Sequence, residues 1–287
     1  TFTNKAAKEM ENRVKKLLNI NDLVLSIGTF HSICAKILRE DIKILGFSNS
    51  FAIYDVKDQL DLIKVLFEKY EISKNMITPN QLRNQISLYK NKMIDCKAVK
   101  RRARTKLEKT ISDIYTAYQK SLKVNDALDF DDLLTFPLEI FNKKPTILKK
   151  YQKRWKYILV DEYQDTNRAQ FELLTLLAKE HQNICVVGDD DQSIYGWRGA
   201  EVSNILDFEN TFSSCRVFTL EKNYRSTQEI LNAATAVVKN NDRRANKNLI
   251  AANGPGETLG LIETIDEQEE ASAIISCLLY TSDAADE

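Results

Sequence analysis

No apolar run in this chain approaches the roughly 20 residues that a membrane-crossing helix needs, and no signal peptide opens it. Those absences describe a soluble protein, and the expected compartment is the cytoplasm. Paired cysteines are missing as well: Cys34, Cys96, Cys185, Cys215 and Cys277 are odd in number and far apart, with no C-x-x-C and only two histidines to help hold zinc. A disulfide framework and a structural zinc site are excluded, and a reducing compartment fits. Internal repeats and low-complexity segments are absent too. Nowhere in the 287 residues is there a G-x-x-x-x-G-K-[ST] loop, whose backbone amides would cradle nucleotide phosphates. Net charge is also zero, with 41 basic residues against 41 acidic.

That balance hides an asymmetry. From Lys74 to Lys123 there are thirteen Lys or Arg against three acidic residues, and from Glu257 to the end nine acidic against none basic. The basic block suits a polyanion, and a solvated helical face explains it equally well. Hydrophobic periodicity alternates helices with short apolar strands, which argues for an α/β sheet. Asn4 to Leu18 is an amphipathic helix, Leu23 to Ile27 a short strand, and His31 to Leu45 a helix stopped by Gly46. Between Phe47 and Lys123 strands disappear, and helices are expected from Asp55, from Thr78-Pro79 and near Thr105. This reads as a helical insertion.

The α/β rhythm resumes with an acidic helix opening at Leu128-Asp-Phe-Asp-Asp-Leu-Leu134. Strand Tyr157–Val160, helix Arg168–Lys179 and strand Asn183–Val187 follow. A strand Arg216–Leu220, a helix from Thr227 to about Lys239, a turn at Asn253–Gly256 and a final strand and helix complete the chain.

Four constellations bear chemistry. Asp161 and Glu162 end an apolar strand, where a magnesium ion needs an oxygen ligand and an attacking water needs a base. A solvated strand end is the alternative. The segment Val186 to Ala200 again runs from a strand into glycine and carboxylates, then adds Gln192, Tyr195, Trp197 and Arg198. An amide such as Gln192 bonds both a phosphate and a water, and an indole in a glycine-flanked loop stacks on an unpaired base or packs the loop onto the core. Tyr224 and Arg225 lie between a strand and a helix, within reach of a ligand at a sheet edge. Finally Phe2, Thr3, Asn4, Thr29 and His31 sit at helix starts, where backbone amides favour phosphate and where threonine also serves as a plain N-cap.

The segments TFTNKAAKEM, GTFHSICAKILR, LDFDDLL, DEYQDTN, VVGDDDQSIYGWRGA and LEKNYRS stand in that order. The set resembles the UvrD/PcrA/Rep-like superfamily 1 DNA helicases over nearly the whole chain up to about Asn240. The resemblance implies a RecA-like P-loop NTPase parallel sheet over 1–46 and 124–215, an all-helical insertion over 47–123 and the start of a second RecA-like subdomain over 216–275. It implies ATP and Mg²⁺ as cofactors, single-stranded and duplex DNA as partners, and movement 3′ to 5′. Asp161 would then be the magnesium ligand, Glu162 the base activating water, Gln192 the contact to the terminal phosphate, Arg225 the arginine finger and Tyr224 a stacking residue near the adenine. Phe2, Thr29, His31 and Trp197 resemble single-strand contacts, supported by Tyr195 and Arg198, with Thr3 and Asn4 beside Phe2.

Two departures stand out. The glycine loop that precedes TFTNKAA in the family is missing, as are the later motifs of the second subdomain, so an internal fragment with little ATPase activity of its own is expected. Ser276 to Glu287 abandons the family-like pattern and is expected to be a foreign or disordered tail. Two other functions compete: a single-strand-binding module that uses no ATP, and a nuclease holding paired metals on Asp129, Asp131, Asp132, Asp161 and Glu162.

Overall fold

Helix starts follow their capping residues in the computed structural model, which describes residues 1–21, 25–73 and 75–283. Helix α1 (Asn4–Leu18) begins after Thr3, whose hydroxyl accepts from the Ala6 N–H, and ends at Asn19 in the left-handed region (φ 53). Helix α2 (Phe30–Asp41) starts from Thr29 in the same way. It tightens into a 3₁₀ turn over Ile42–Leu45 before Gly46 (φ 78) stops it, so the expected single helix to Leu45 is two joined pieces. Of the strand expected at Leu23–Ile27, Leu23 and Val24 lie outside the described residues and Leu25 to Ile27 form none. Lys74, the first residue of the basic block, also lies outside them.

Strand β1 (Ala52–Tyr54) is followed by helices α3 (Val56–Lys69), α4 (Pro79–Asn91), α5 (Cys96–Arg102) and α6 (Lys106–Val124). Reciprocal capping boxes open α3, α4 and α6, pairing Asp55 with Asp58, Thr78 with Gln81 and Thr105 with Glu108. Each such cap stabilises its helix by about 1 kcal/mol. These helices enclose their own core, in which Ile63, Phe67, Leu82, Ile86, Tyr118 and Leu122 interlock.

Residues 47–123 are not strand-free. β1 pairs in parallel with β2 (Ala127–Asp129), with Ile53 opposite Leu128. The acidic helix expected from Leu128 is also displaced: Ala127 and Leu128 are fully buried in the sheet, and α7 (Asp132–Lys143) begins only at Asp132. A short buried apolar pair is read as strand or helix only from what lies beside it, and here β1 does.

Beyond α8 (Pro145–Arg154), strands β3 (Ile158–Val160) and β4 (Ile184–Val186) pair in parallel around α9 (Arg168–Ala178), with Val160 opposite Val186. Two short helices, α10 (Ser203–Leu206) and α11 (Phe208–Thr211), follow. Phe208 and Phe212 pack with Val160 and Tyr163 beneath the strand ends. A larger core joins α2, α7 and α9 through Ile37, Leu38, Leu138, Phe141 and Leu173.

The chain divides into two compact units, Thr1–Arg216 and Val217–Glu287. In the second, β5 (Lys222–Asn223) and β6 (Ile250–Ala251) pair in parallel, with α12 (Gln228–Val238) between them. The strand expected at Arg216–Leu220 does not form; Val217, Phe218 and Leu220 are exposed and have no strand opposite them. The strand expected after Gly256 is likewise absent among the described residues. Helix α13 (Glu267–Asp283) runs past Ile275, so Ser276 to Asp283 is helical rather than a disordered tail. The parallel α/β character is present, as three two-stranded pairs among the described residues. Among the described residues, no helix is long and apolar enough to cross a membrane.

Candidate functional site

At the carboxyl edge of β3 the chain turns sharply. Glu162 adopts the left-handed region (φ 54, ψ 43), an uncommon conformation for a residue with a Cβ, and this ends the strand so that Asp161 and Glu162 no longer alternate across a pleat. The turn is held from below. Tyr163 N–H donates to Val187 O at 3.0 Å, which fastens it to the end of β4.

Gln164 is the central contact. Its side chain is buried; Nε2 donates to Glu162 Oε2 at 2.8 Å, and Oε1 accepts from the Asp189 N–H at 3.0 Å. Asp189 Oδ2 in turn accepts from Gln192 Nε2 at 2.7 Å. Three hydrogen bonds therefore join the strand-end carboxylate to the amide of the β4 loop, and Glu162 and Gln192, 30 positions apart in the sequence, share one edge. Gly188 makes the approach feasible: a Cβ there would lie 2.4 Å from Gln164 Oε1 and 3.1 Å from the Tyr163 nitrogen.

Asp161 is half-buried and Glu162 exposed. Magnesium takes one or two protein carboxylates and fills its shell with water and phosphate oxygens, a demand that Asp161 fits. Among the described residues the one cluster of three carboxylates is Asp189, Asp190 and Asp191, within 4.8 Å of one another, and Asp161 is not part of it. The groups present fit the metal and water side of a nucleotide site; the phosphate-cradling loop is not among the 287 residues.

The same loop after β4 continues into a cleft of ≈ 770 Å³. Phe2, Thr3, Asn4, Thr29, His31, Tyr195 and Trp197 all line it. Phe2 stacks on Tyr195 with centroids 5.5 Å apart, and Tyr195 lies 6.4 Å from Trp197, which is 73% exposed. Exposure decides against the core-packing alternative for Trp197. Thr3 and Thr29 are N-caps as well as lining residues. Arg198 belongs to the 3₁₀ turn Gly196–Arg198. Burial holds the His31 imidazole down at about 4, so it is neutral at pH 7 and offers a stacking face rather than a charge.

Sequence reasoning missed two parts of this lining. Phe130 stacks on His31 at 4.0 Å; it was hidden in LDFDDLL, a segment read only for its carboxylates. Helix α4 supplies Arg83, Asn84, Ser87 and Asn91, from a helix read only as part of a basic surface.

The acidic segment is structural rather than metal-binding. Lys90 is 3% exposed, and its Nζ donates to Asp129 Oδ2 at 2.6 Å and Asp132 Oδ1 at 2.7 Å. Burial works against the Lys90 charge, but the two carboxylates outweigh it and raise its pKa. Burial and the Asp129 charge push Asp132 up to about 7, while Asp129 opposes its own burial with Lys90's help and stays below the usual range. Three of the five carboxylates proposed for a nuclease are thus otherwise engaged, because Asp131 accepts from Asn91 Nδ2 at 3.0 Å. Asn91 Oδ1 also accepts from Asn167 Nδ2 at 2.6 Å, linking the insertion to the start of α9.

Tyr224 and Arg225 lie in the second unit, between β5 and α12. Asn223 Oδ1 accepts from the Arg225 and Ser226 N–H groups at 2.9 and 2.8 Å, fixing the turn, and both the Tyr224 and Arg225 side chains are exposed.

Residues 1–213 match the family model of the UvrD/REP helicase N-terminal domain, and residues 218–285 that of the UvrD-like helicase C-terminal domain. Among curated proteins, the ATP-dependent DNA helicase PcrA of Staphylococcus aureus strain Mu50 is 44% identical over 275 residues, covering 96% of this chain and 38% of the relative. That of Staphylococcus epidermidis strain ATCC 12228 is 42% identical over the same length. The chain thus spans about 38% of the length of these relatives. Two consecutive domain models and this identity make it a member of the UvrD/PcrA/Rep-like helicase family.

Proposed function

We propose that this chain forms part of an ATP-driven DNA translocase that unwinds duplex DNA while moving along one strand, 3′ to 5′. One observation carries the reading: a single loop, Asp189 to Ala200, bonds through Gln164 to Glu162 at one end and lines the aromatic cleft with Tyr195 and Trp197 at the other. Bases passing the cleft and the hydrolytic edge therefore act on one piece of backbone.

The residue roles are those that the family motifs imply. Asp161 is the metal ligand. Glu162 spends Oε2 on Gln164 and keeps Oε1 to take a proton from water. Gln192, turned by Asp189, contacts the terminal phosphate; in the second unit Arg225 takes the arginine-finger role and Tyr224 stacks on the base. Bound magnesium-nucleotide supplies the electrophilic phosphorus. Phe2, Tyr195 and Trp197 stack on unpaired bases, and Thr3, Asn4, Thr29, His31 and Arg198 border the strand.

Fluorescence anisotropy of residues 1–287 with labelled oligothymidine tests the cleft. Trp197→Ala is expected to weaken binding by about 1–3 kcal/mol, roughly 5- to 150-fold. Unchanged affinity, or no binding by the parent chain, refutes the reading. Little ATP hydrolysis is expected from these residues alone, and robust DNA-stimulated turnover by them would overturn that part.

A further inference from the structure

A cleft for a polyanion needs positive charge, and the described side chains of the aromatic wall supply none. His31 is neutral, and among the residues whose side chains are described Arg83 is the one permanent cation in the lining. It comes from the helical insertion. Along α4, Leu82, Ile86 and Lys90 form the buried face, and Arg83, Ser87 and Asn91, each one residue further on, form the adjacent stripe that lines the cleft.

The Arg83 side chain is held but not consumed. Its Nη2 donates to Asn84 Oδ1 at 2.7 Å, which fixes the plane of the fork. Its Nε is buried and bonds to nothing, and among the described residues no carboxylate lies within ion-pair distance of it. The two carboxylates of the lining form no ion pair with it: Asp131 is engaged by Asn91, and Asp165 belongs to the turn after Glu162. A guanidinium with open donors lining one cleft with three aromatic rings is the arrangement by which single-strand binders pair backbone phosphate with base stacking.

We propose that Arg83 of α4 binds a backbone phosphate of a single strand whose bases stack on Phe2, Tyr195 and Trp197, with Asn84 orienting the fork. The inference rests on the single-strand reading of the cleft and deepens it. The insertion is then a wall of the binding site, and the phosphate contact is made by one residue rather than by the diffuse charge of the basic block.

The test is oligothymidine anisotropy with residues 1–287 over a salt series, with far-UV circular dichroism to establish that each variant is folded. Arg83→Gln is expected to weaken binding about tenfold at low salt and to flatten the slope of log affinity against log salt by about 0.7, one phosphate's share on a single strand. Arg83→Lys should keep the slope and lose part of the affinity. Arg101→Gln, an exposed member of the basic block on α5, should change neither. An unaltered slope in Arg83→Gln, with Trp197→Ala still impaired, overturns the inference and leaves the cleft reading standing. Equal losses in Arg83→Gln and Arg101→Gln also overturn it, since diffuse charge then explains the affinity. Failure of the parent chain to bind at any salt defeats the cleft reading itself.

Discussion

Replacing Lys90 by methionine isolates the cost of burying the insertion's acidic neighbour. In the folded chain the ammonium lies 2.6 and 2.7 Å from two carboxylates that are themselves almost fully buried. Methionine keeps the volume of the stem and leaves both carboxylates without a counter-charge. Removing one member of such a group costs about 3–5 kcal/mol, because the remaining charge is uncompensated. The loss depends on pH. Asp132 already titrates near 7, above its unfolded value, so the native state binds a proton that the unfolded state releases as pH rises from about 4 to 7. Stability contributed by that proton is present at low pH and lost on the way to 7. Without Lys90, Asp129 joins Asp132 in preferring its proton. The penalty should therefore reach its full 3–5 kcal/mol at pH 8 and fall to less than half at pH 5. Urea unfolding followed by circular dichroism at both pH values measures it. A loss below about 1 kcal/mol, or one equal at pH 5 and 8, refutes the reasoning.

Two further expectations concern the candidate site. Gly188→Ala places a methyl 2.4 Å from Gln164 Oε1 and 2.9 Å from Ile205 Cδ1, and it should cost about 1–3 kcal/mol, several degrees in Tm; a melt within 1 °C of the parent's would refute it. His31 is neutral when folded, with its pKa about 4, so the unfolded state binds the extra proton between about 4 and 6.5, and stability falls as pH drops through that window. His31→Gln should flatten the pH dependence of Tm between pH 7.5 and 5, and an unchanged slope would count against the buried neutral imidazole.

Local chemistry was legible in the sequence, and long-range compensation was not. Thr3, Asp55, Thr78, Thr105 and Asn167 each announce a helix through contacts within four residues, and the helices begin there. Glycine and carboxylates at the ends of β3 and β4 could be read because a strand edge is also local. Asp129 and Asp132 could not. The segment Asp129 to Asp132 reads as the opening of an acidic helix, and what compensates the burial of its first and last residues is a lysine 39 and 42 positions earlier. The same non-locality hid β1, which is strand only because β2 lies beside it, and hid Arg83, one cation among thirteen in its block. The identity of Gln164 was visible, but not that its two ends touch different loops.

That last contact has a thermodynamic reading. Because one amide bonds both Glu162 and the Asp189 backbone, the two loops share a coupling free energy, and coupling is reciprocal. On the proposed reading, a strand in the cleft that changes the order of Asp189–Gln192 would bias Glu162 through Gln164, and whatever orders Glu162 would return the same factor to the affinity for the strand. A side chain of neutral charge would thereby carry part of that coupling, alongside the Ser193 hydroxyl that donates to Gln164 O.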